Sequence, residues 1–122
     1  MDTVIEVRIV PATACYIIEI VYEKTNQPQI DSKYVAGIDL GIDRLVALST
    51  NKPGVKPLLI NGQPLKSVNQ LYNKRKAKYQ SVLKSQKKTS RKIEALTYNR
   101  NRFVENYLHN TSKLVALVFN HK

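Results

Sequence analysis

The sequence contains a single cysteine, Cys15, and no tryptophan. One thiol excludes a disulfide within the chain and a zinc site with several cysteine ligands, so we expect no zinc. No run of apolar residues approaches the roughly 18 to 20 that a membrane-spanning helix needs. The first six residues include two acids, whereas a secretory signal peptide begins with positive charge. These absences predict a soluble, cytoplasmic protein that does not associate with membranes.

Acidic residues are almost missing from the second half of the chain. Residues 63–122 contain two acids, Glu94 and Glu105, against fourteen basic residues. Residues 1–62 contain seven acids and six basic residues, together with all four glycines. The excess charge of the second half is self-repelling unless a polyanion neutralises it, and nucleic acid is the polyanion that we expect. The alternative is that these charges form only a solvated surface.

The N-terminal region alternates between apolar and polar residues, which is typical of β-strands. Residues 4–10 place Ile5, Val7 and Ile9 on one face, as in a half-buried strand. Residues 15–23 show a similar alternation, and only four residues separate the two segments. We therefore expect a two-stranded hairpin.

A polar segment with a proline, residues 25–32, interrupts the apolar pattern and predicts a linker. The chain length of 122 residues fits one compact domain or part of a larger protein. We place a hairpin and linker at residues 1–33 and a second domain at residues 34–122. The second domain divides into strands over residues 34–62 and a basic helical hairpin over residues 63–122.

Three short apolar runs in the second domain predict an antiparallel meander. They cover residues 35–40, 45–49 and 56–60. Pro53 and Gly54 suit the two central positions of a turn between the second and third runs. Since the middle run is continuously apolar, we expect it to be covered on both faces.

Apolar residues recur every three or four positions from Pro64 onward, which is typical of amphipathic helices. One helix is predicted from Pro64 to about Gln86, and a second follows a polar joint in which Thr89 or Ser90 can act as N-cap. The first apolar stripe contains Leu65, Val68, Leu71, Tyr72, Tyr79, Val82 and Leu83. The second contains Ile93, Leu96, Phe103, Tyr107, Leu114 and Val118, with Arg100 and Thr111 as interruptions.

The remaining sides of these helices carry most of the positive charge. Arg91 and Lys92 lie in the first turn of the second helix, where the helix dipole disfavours cations, so their presence there indicates a ligand. Contacts of such residues with phosphates give affinity without reading the base sequence. The predicted nucleic-acid-binding residues are Lys74, Arg75, Lys76, Lys78, Lys84, Lys87, Lys88, Arg91, Lys92, Arg100 and Arg102.

Asp39 is the sharpest local signal for chemistry. It lies near the end of a predicted buried strand, with Gly37 and Gly41 two residues away on either side. Because neither glycine has a Cβ, a phosphate can approach the carboxylate closely. A carboxylate in this position can hold a divalent metal ion at a phosphodiester. The alternative is that Asp39 only ends a strand and caps a turn.

Other candidates have simpler structural explanations. His109 is a possible general base, but it stands alone on a predicted helix, and we expect it to be structural. Asp43 is either an accessory metal ligand or, more simply, a turn residue, and Cys15 is expected to be a small core residue. Tyr98 stays open between stacking on a base and packing within the protein.

Three segments of the sequence together resemble a known family. They are GIDLGIDRLVALST at residues 37–50, INGQPLKSVNQLYNKR at residues 60–75 and RNRFVENYLHNTSK at residues 100–113. In this order they resemble the transposon-encoded TnpB (OrfB) proteins, and the first segment is similar to that family's first nuclease motif. The first segment is also similar to the phosphate loop of actin-like and heat-shock-type ATPases. In those proteins hydroxyl residues follow the second glycine, whereas here Ile42-Asp43-Arg44 follows it.

The resemblance implies a partial RuvC-like, ribonuclease H-like fold of the mixed α/β (α+β) class, in an RNA-guided DNA endonuclease of insertion sequences. Three acids of that fold hold two Mg²⁺ ions that promote cleavage of DNA. Asp39 matches the first acid, as catalytic and metal-binding residue. The other two acids and the family's late cysteine pairs have no counterpart before Lys122. We therefore expect a fragment that is inactive alone, because one carboxylate is a poor Mg²⁺ site.

Two functions stay open at this point. The first is the N-terminal part of a transposon-encoded RuvC-like nuclease, a transposase-family protein that binds DNA and a guide RNA. The second is a basic RNA- or DNA-binding module without catalysis. Three meander strands cannot complete a ribonuclease H sheet, so we expect the exposed sheet edge to be covered, with self-association as one route.

Overall fold

The structure is a computed structural model, and it describes residues 3–12, 15–26, 28, 31–83 and 87–120. Within these ranges the fold is of the mixed α+β class, with two antiparallel sheets and two helices, as predicted. The elements are β1 (Thr3–Pro11), β2 (Tyr16–Glu23), β3 (Ala36–Leu40), β4 (Arg44–Thr50), β5 (Leu58–Asn61), α1 (Gln63–Ser81) and α2 (Arg91–Asn120).

Strands β1 and β2 form the predicted antiparallel hairpin. Val7 pairs with Ile20 and Ile9 with Ile18, so these four apolar side chains share one face. This face is exposed, since Ile9 is 69% and Ile18 is 68% exposed. The prediction of a half-buried first strand is therefore wrong. Alternation shows which side chains share a face, but it does not show whether that face is covered.

Contacts between residues divide the chain into two compact units, Met1–Asp31 and Ser32–Lys122. The predicted domains, residues 1–33 and 34–122, stay predictions. No helix among the described residues is long and apolar enough to cross a lipid bilayer.

Strands β3, β4 and β5 form the predicted meander, with β4 in the middle. The turn between β4 and β5 also has the predicted form. The amide of Val55 donates to the carbonyl of Lys52 at 3.4 Å, and Gly54 has a φ of 80°. These values describe a type II turn in which Pro53 and Gly54 hold the central positions.

One face of this sheet carries the core of the second unit. Val46 and Leu48 of β4 are 4% and 2% exposed, and they form a buried cluster with Ile60. Partly buried side chains from β4, β5 and α2 surround the cluster: Leu45, Leu58, Tyr107, Val115 and Val118. The opposite face is open, because Leu59 is 59% exposed. The prediction that β4 is covered on both faces is therefore wrong for the described part of the chain.

The packed face of α2 is rotated from the predicted apolar stripe. Phe103 and Leu114, which the stripe included, are 41% and 48% exposed, whereas Thr111 is 7% exposed and Arg100 is half-buried. Leu96 of the predicted stripe is partly buried, and the packed face itself includes Ile93, Thr97, Arg100, Val104, Tyr107, Thr111, Val115 and Val118. Their spacing of three and four follows the helix period, although the face includes polar residues. The two residues that we expected to interrupt the stripe are part of the packed face.

Helix α1 ends at Ser81, before the predicted end at Gln86. Tyr72 is its buried residue, at 8% exposure. Val82 and Leu71, which belong to the predicted apolar stripe, are 75% and 48% exposed. The packed face of α1 is thus narrower than its apolar pattern.

Ser90, one of the two residues predicted as possible N-caps, caps the N-terminus of α2. Its hydroxyl oxygen accepts a hydrogen bond from the amide of Ile93 at 3.4 Å, and its carbonyl accepts one from the amide of Glu94 at 2.9 Å. Such a cap satisfies helix amides that have no partner within the helix.

The turn after β3 contacts the start of α1. The amide of Gly62 donates to the carbonyl of Asp43 at 2.9 Å, and Lys66 Nζ lies 2.8 Å from Asp43 Oδ1. A Cβ on Gly62 would lie 1.9 Å from the carbonyl oxygen of Ile42. Only a glycine fits here, and the contact positions α1 beside the strand that carries Asp39.

Candidate active-site strand and nucleic-acid interface

Asp39 lies on the open face of the three-stranded sheet. It pairs with Ala47, which pairs in turn with Leu59, so the three side chains form one row across the sheet. Asp39 is exposed, and a shallow depression of about 470 Å³ includes this row. Gly37 and Ser49 form the neighbouring row on the same face. The carboxylate is therefore accessible to a large ligand such as a nucleic-acid strand.

The two glycines beside Asp39 have different roles. A Cβ on Gly37 would meet only Ser49 Oγ at 3.9 Å, which is an ordinary contact, so this glycine leaves space beside the carboxylate. A Cβ on Gly41 would lie 2.8 Å from the carbonyl oxygen of Arg44, so the turn itself requires Gly41. Open access to Asp39 thus depends on one glycine, and not on both as the pattern indicated.

Asp39 offers a single carboxylate as a ligand for a metal ion. Within the described ranges, no group of three His, Cys, Asp or Glu side chains could hold a metal ion. Asp43, the next acid along the chain, instead accepts hydrogen bonds from Lys66 Nζ at 2.8 Å and from Gln63 Nε2 at 3.4 Å. Two-metal catalysis needs several carboxylates around the ions. The residues present do not fit a pair of Mg²⁺ ions, and no catalytic step can be assigned to them.

The predicted basic residues lie on α1, on α2 and in the segment between them. Helix α1 contains five basic residues and no acid. Lys84 lies outside the described residues. Eight of the predicted residues are exposed and have no carboxylate partner in the described part of the chain: Lys74, Arg75, Lys78, Lys87, Lys88, Arg91, Lys92 and Arg102. We call these eight residues the basic surface.

The other two described members of the predicted set, Lys76 and Arg100, lie at the contact between α1 and α2. The Arg100 guanidinium carbon is 4.9 Å from the centre of the Tyr72 ring, and Lys76 Nζ is 5.5 Å from it. The Tyr72 hydroxyl is hydrogen-bonded to the Thr97 hydroxyl at 3.1 Å. A cation over an aromatic ring contributes roughly 0.5–2 kcal/mol, so Arg100 of α2, over the Tyr72 ring of α1, helps to hold the two helices together. Lys76 belongs to the same helix as Tyr72, so its contact with the ring stabilises α1 itself.

The pKa of the Tyr72 phenol lies below its usual value. The largest cause is the hydrogen bond with the Thr97 hydroxyl, which favours the ionised form, and burial opposes it. Lys76 and Arg100 also lower this pKa through their positive charge. The contact between the helices is therefore electropositive even at its most buried aromatic ring.

The remaining candidates are His109, Tyr98 and Cys15. His109 is exposed on α2. Tyr98 is half-buried, and the Arg102 guanidinium lies 5.8 Å from the centre of its ring. Cys15 is a half-buried free thiol.

A family model described as OrfB_IS605, probable transposase, matches residues 19–120. The chain belongs to this family. The match includes Asp39, the three-stranded sheet and both helices, and it confirms the resemblance of the three sequence segments. Neither a curated protein nor a solved structure was found to match the chain.

The sequence patterns did not reveal a groove between α1 and α2 on the side of Leu71 and Phe103. Both residues belong to the predicted apolar stripes. A groove depends on how two helices cross, and the pattern of one helix does not show this. The available signal was the absence of acids from α1, which leaves positive charge beside exposed apolar residues.

Proposed function

We propose that α1 and α2 form a nucleic-acid-binding surface that contacts the phosphate backbone. The acid-free helix α1 carries the proposal, because its four basic residues other than Lys66 have no carboxylate partner among the described residues and repel one another until phosphates neutralise them. Membership in a transposase family supports the same ligand. DNA and a guide RNA are the nucleic acids that we propose, on the basis of the family resemblance.

Fluorescence anisotropy with labelled DNA and RNA at several salt concentrations tests this proposal. If about six phosphates are contacted, log K should fall against log salt with a slope of roughly −4 to −5. Replacement of Lys74, Arg75 and Lys78 by alanine should flatten the slope by about two to three, roughly one for each lost contact. These three lysine and arginine side chains are exposed, so their loss should leave the fold intact.

A matched control removes the same charge from loops in the first half of the chain. Replacement of Lys24, Lys33 and Lys56 by alanine should leave the slope within about one unit of the unmodified protein, since these side chains lie off the helices. Equal slopes for the two triple variants would contradict a defined surface. Salt-independent binding would contradict phosphate contact altogether.

We further propose that the chain belongs to a RuvC-like, ribonuclease H-like nuclease of a transposable element, with Asp39 as the first of its acids. Three observations support this: the family match, the place of Asp39 on an antiparallel meander, and the open space beside Gly37. In such a nuclease Mg²⁺ ions supply the activated water. Because the described residues do not fit a pair of these ions, we expect no cleavage by this chain alone.

A plasmid-nicking assay with Mg²⁺ or Mn²⁺ tests this second proposal. The chain should give no cleavage beyond that of the Asp39→Asn variant. That variant should bind DNA equally well or slightly more tightly, because a carboxylate facing phosphate repels it when no metal is bound. Mg²⁺-dependent nicking that the variant loses would instead show an enzyme that is active by itself. A non-catalytic binding module is the second candidate function, and the lone carboxylate favours it.

We also propose self-association through the edge of β3. In the described residues β3 pairs only with β4, and an unpaired edge readily accepts a further strand. An apolar groove of about 430 Å³, which Ile38, Leu40 and Leu108 help to line, runs beside this edge. Light scattering at high concentration should show dimers that Leu40→Lys reduces, and a clean monomer would count against the proposal. The cytoplasmic location stays a prediction.

A further inference from the structure

The groove between α1 and α2 combines an apolar lining with positive charge. Its volume is about 170 Å³, which is below the roughly 300–1,000 Å³ of pockets for drug-sized ligands, so it suits one small planar group. Leu71 and Phe103 are 48% and 41% exposed, so the lining is accessible. The lining includes Leu71, Leu96, Phe103, Arg75, Asn99 and Arg100.

The charges around the groove favour an anionic ligand. Neither the lining nor any position of α1 contains an acid. Arg75 is exposed, while Arg100 is held against the Tyr72 ring at 4.9 Å. A ligand that suits this groove therefore has a flat apolar part and a negative charge close to it. A nucleotide has both, because the faces of its base are apolar and its phosphate is charged.

Phe103 is a preformed platform for such a base. Its ring stacks on Tyr107 with 6.2 Å between centroids and 17° between planes. The side chain is thus held in place on one side while it stays partly exposed. Stacking of bases on aromatic side chains is the usual means of binding single strands without sequence preference.

We propose that this groove receives an unpaired base of single-stranded nucleic acid. The base contacts Phe103 and Leu71, and Arg75 and Arg100 face the flanking phosphates. This inference rests on the proposed nucleic-acid-binding function of the helices, and it adds a preference for unpaired strands. A duplex does not offer its bases to the groove, because they are stacked and paired inside the helix.

The proposal is tested by measuring how tightly the whole chain binds four labelled strands of equal length. Each strand has about 15 nucleotides, a length within the usual range of single-strand binding sites. The strands are oligo-dT, oligo-U, a DNA duplex and an oligomer of abasic residues. Oligo-dT or oligo-U should bind about fivefold or more tightly than the abasic strand, given the strength of base stacking. Phe103→Ala should remove this difference and change duplex binding less than about twofold. A preference between oligo-dT and oligo-U would identify the strand and support the proposal.

Two further measurements keep the proposal testable. Leu117→Ala is a matched control, since Leu117 is 51% exposed on α2 but does not line the groove. This variant should bind all four strands as tightly as the unmodified protein does. Photo-crosslinking of strands that contain 5-iodouracil should label Phe103 or Tyr72. This measurement uses the unmodified protein, so its result does not depend on the folding of any variant. Crosslinks confined to other residues would overturn the proposal.

The outcomes also separate this inference from the proposed function. Equal binding of abasic and normal strands, unaffected by Phe103→Ala, would overturn the groove and leave the salt-dependent surface standing. Absence of salt-dependent binding by every strand would overturn both. A change of oligomeric state in Phe103→Ala without any base dependence would show that the groove is a contact between copies, and it would overturn the proposal as well.

Discussion

Replacement of Gly62 by alanine should destabilise the second unit strongly. Gly62 has a φ of −90°, so alanine could adopt its backbone conformation. The obstacle is space, because the new Cβ would lie 1.9 Å from the carbonyl oxygen of Ile42 and 2.9 Å from its carbonyl carbon. Both atoms belong to the backbone, so no side-chain rotation can relieve the contact.

The size of the effect follows from the displacement that is needed. An ordinary contact begins near 3.4 Å, so the start of α1 and the turn after β3 must separate by about 1.5 Å. Overpacking of this kind costs about 1–3 kcal/mol. The movement also breaks the hydrogen bond from Gly62 to Asp43, which contributes about 1 kcal/mol. We therefore expect a loss of about 2–4 kcal/mol, a large part of the ~5–15 kcal/mol that stabilises a typical domain.

Urea unfolding followed by far-ultraviolet circular dichroism measures this loss. Gly37→Ala is the matched control, because its new Cβ would meet only Ser49 Oγ at 3.9 Å, and we expect a change within about 0.5 kcal/mol. If Gly62→Ala unfolded within ~0.5 kcal/mol of the unmodified protein, the close approach of the turn to α1 would be refuted.

Further predictions concern the core, the contact between β5 and α2, and the buried tyrosine. Leu48→Ala should lower the free energy of unfolding by about 2–5 kcal/mol, because Leu48 is 2% exposed, whereas Leu59→Ala should cost less than about 1 kcal/mol in the same urea assay. Tyr107→Phe should cost about 0.5–1.5 kcal/mol by removing the hydrogen bond to the carbonyl of Asn61. In a spectrophotometric titration Tyr72→Phe should remove a phenol ionisation that lies below the usual tyrosine pKa, since the pKa of Tyr72 is lowered in the fold. Because this pKa is lowered in the folded state, ionisation of Tyr72 adds stability as pH rises through the folded-state pKa, and the contribution is lost as pH falls back through that pKa. Persistence of the low-pH phenol ionisation in Tyr72→Phe would contradict the assignment.

The local features of this protein could be predicted from its sequence because each depends on neighbouring residues. The period of apolar residues changes from two to between three and four near Pro64, and strands give way to helices at that point. The Pro53-Gly54 turn and the Ser90 cap follow from the conformations and hydrogen bonds that these residues prefer. The distribution of charge and the family resemblance also belong to the sequence alone.

The candidate site was predictable only in part. Asp39 could be singled out by its two flanking glycines, but the sequence could not show that they differ, because Gly41 is required by a contact with Arg44 within the turn. The basic residues could be counted from the sequence, but the sequence could not show which of them are exposed and which pack within the protein. Only the packing of α1 on α2 shows that Arg100 lies against Tyr72 while Arg75 stays exposed.

The tertiary structure decided which faces are covered. Thr111 and Arg100 are polar, yet they lie on the packed face of α2, and Phe103 and Leu114 are apolar but exposed. A period of 3.6 residues defines a stripe on a helix, but the partner's position sets which part of that stripe is buried. In the same way, alternation placed Asp39 on one face of its strand, and only the position of α2 on the opposite face left that carboxylate open to solvent.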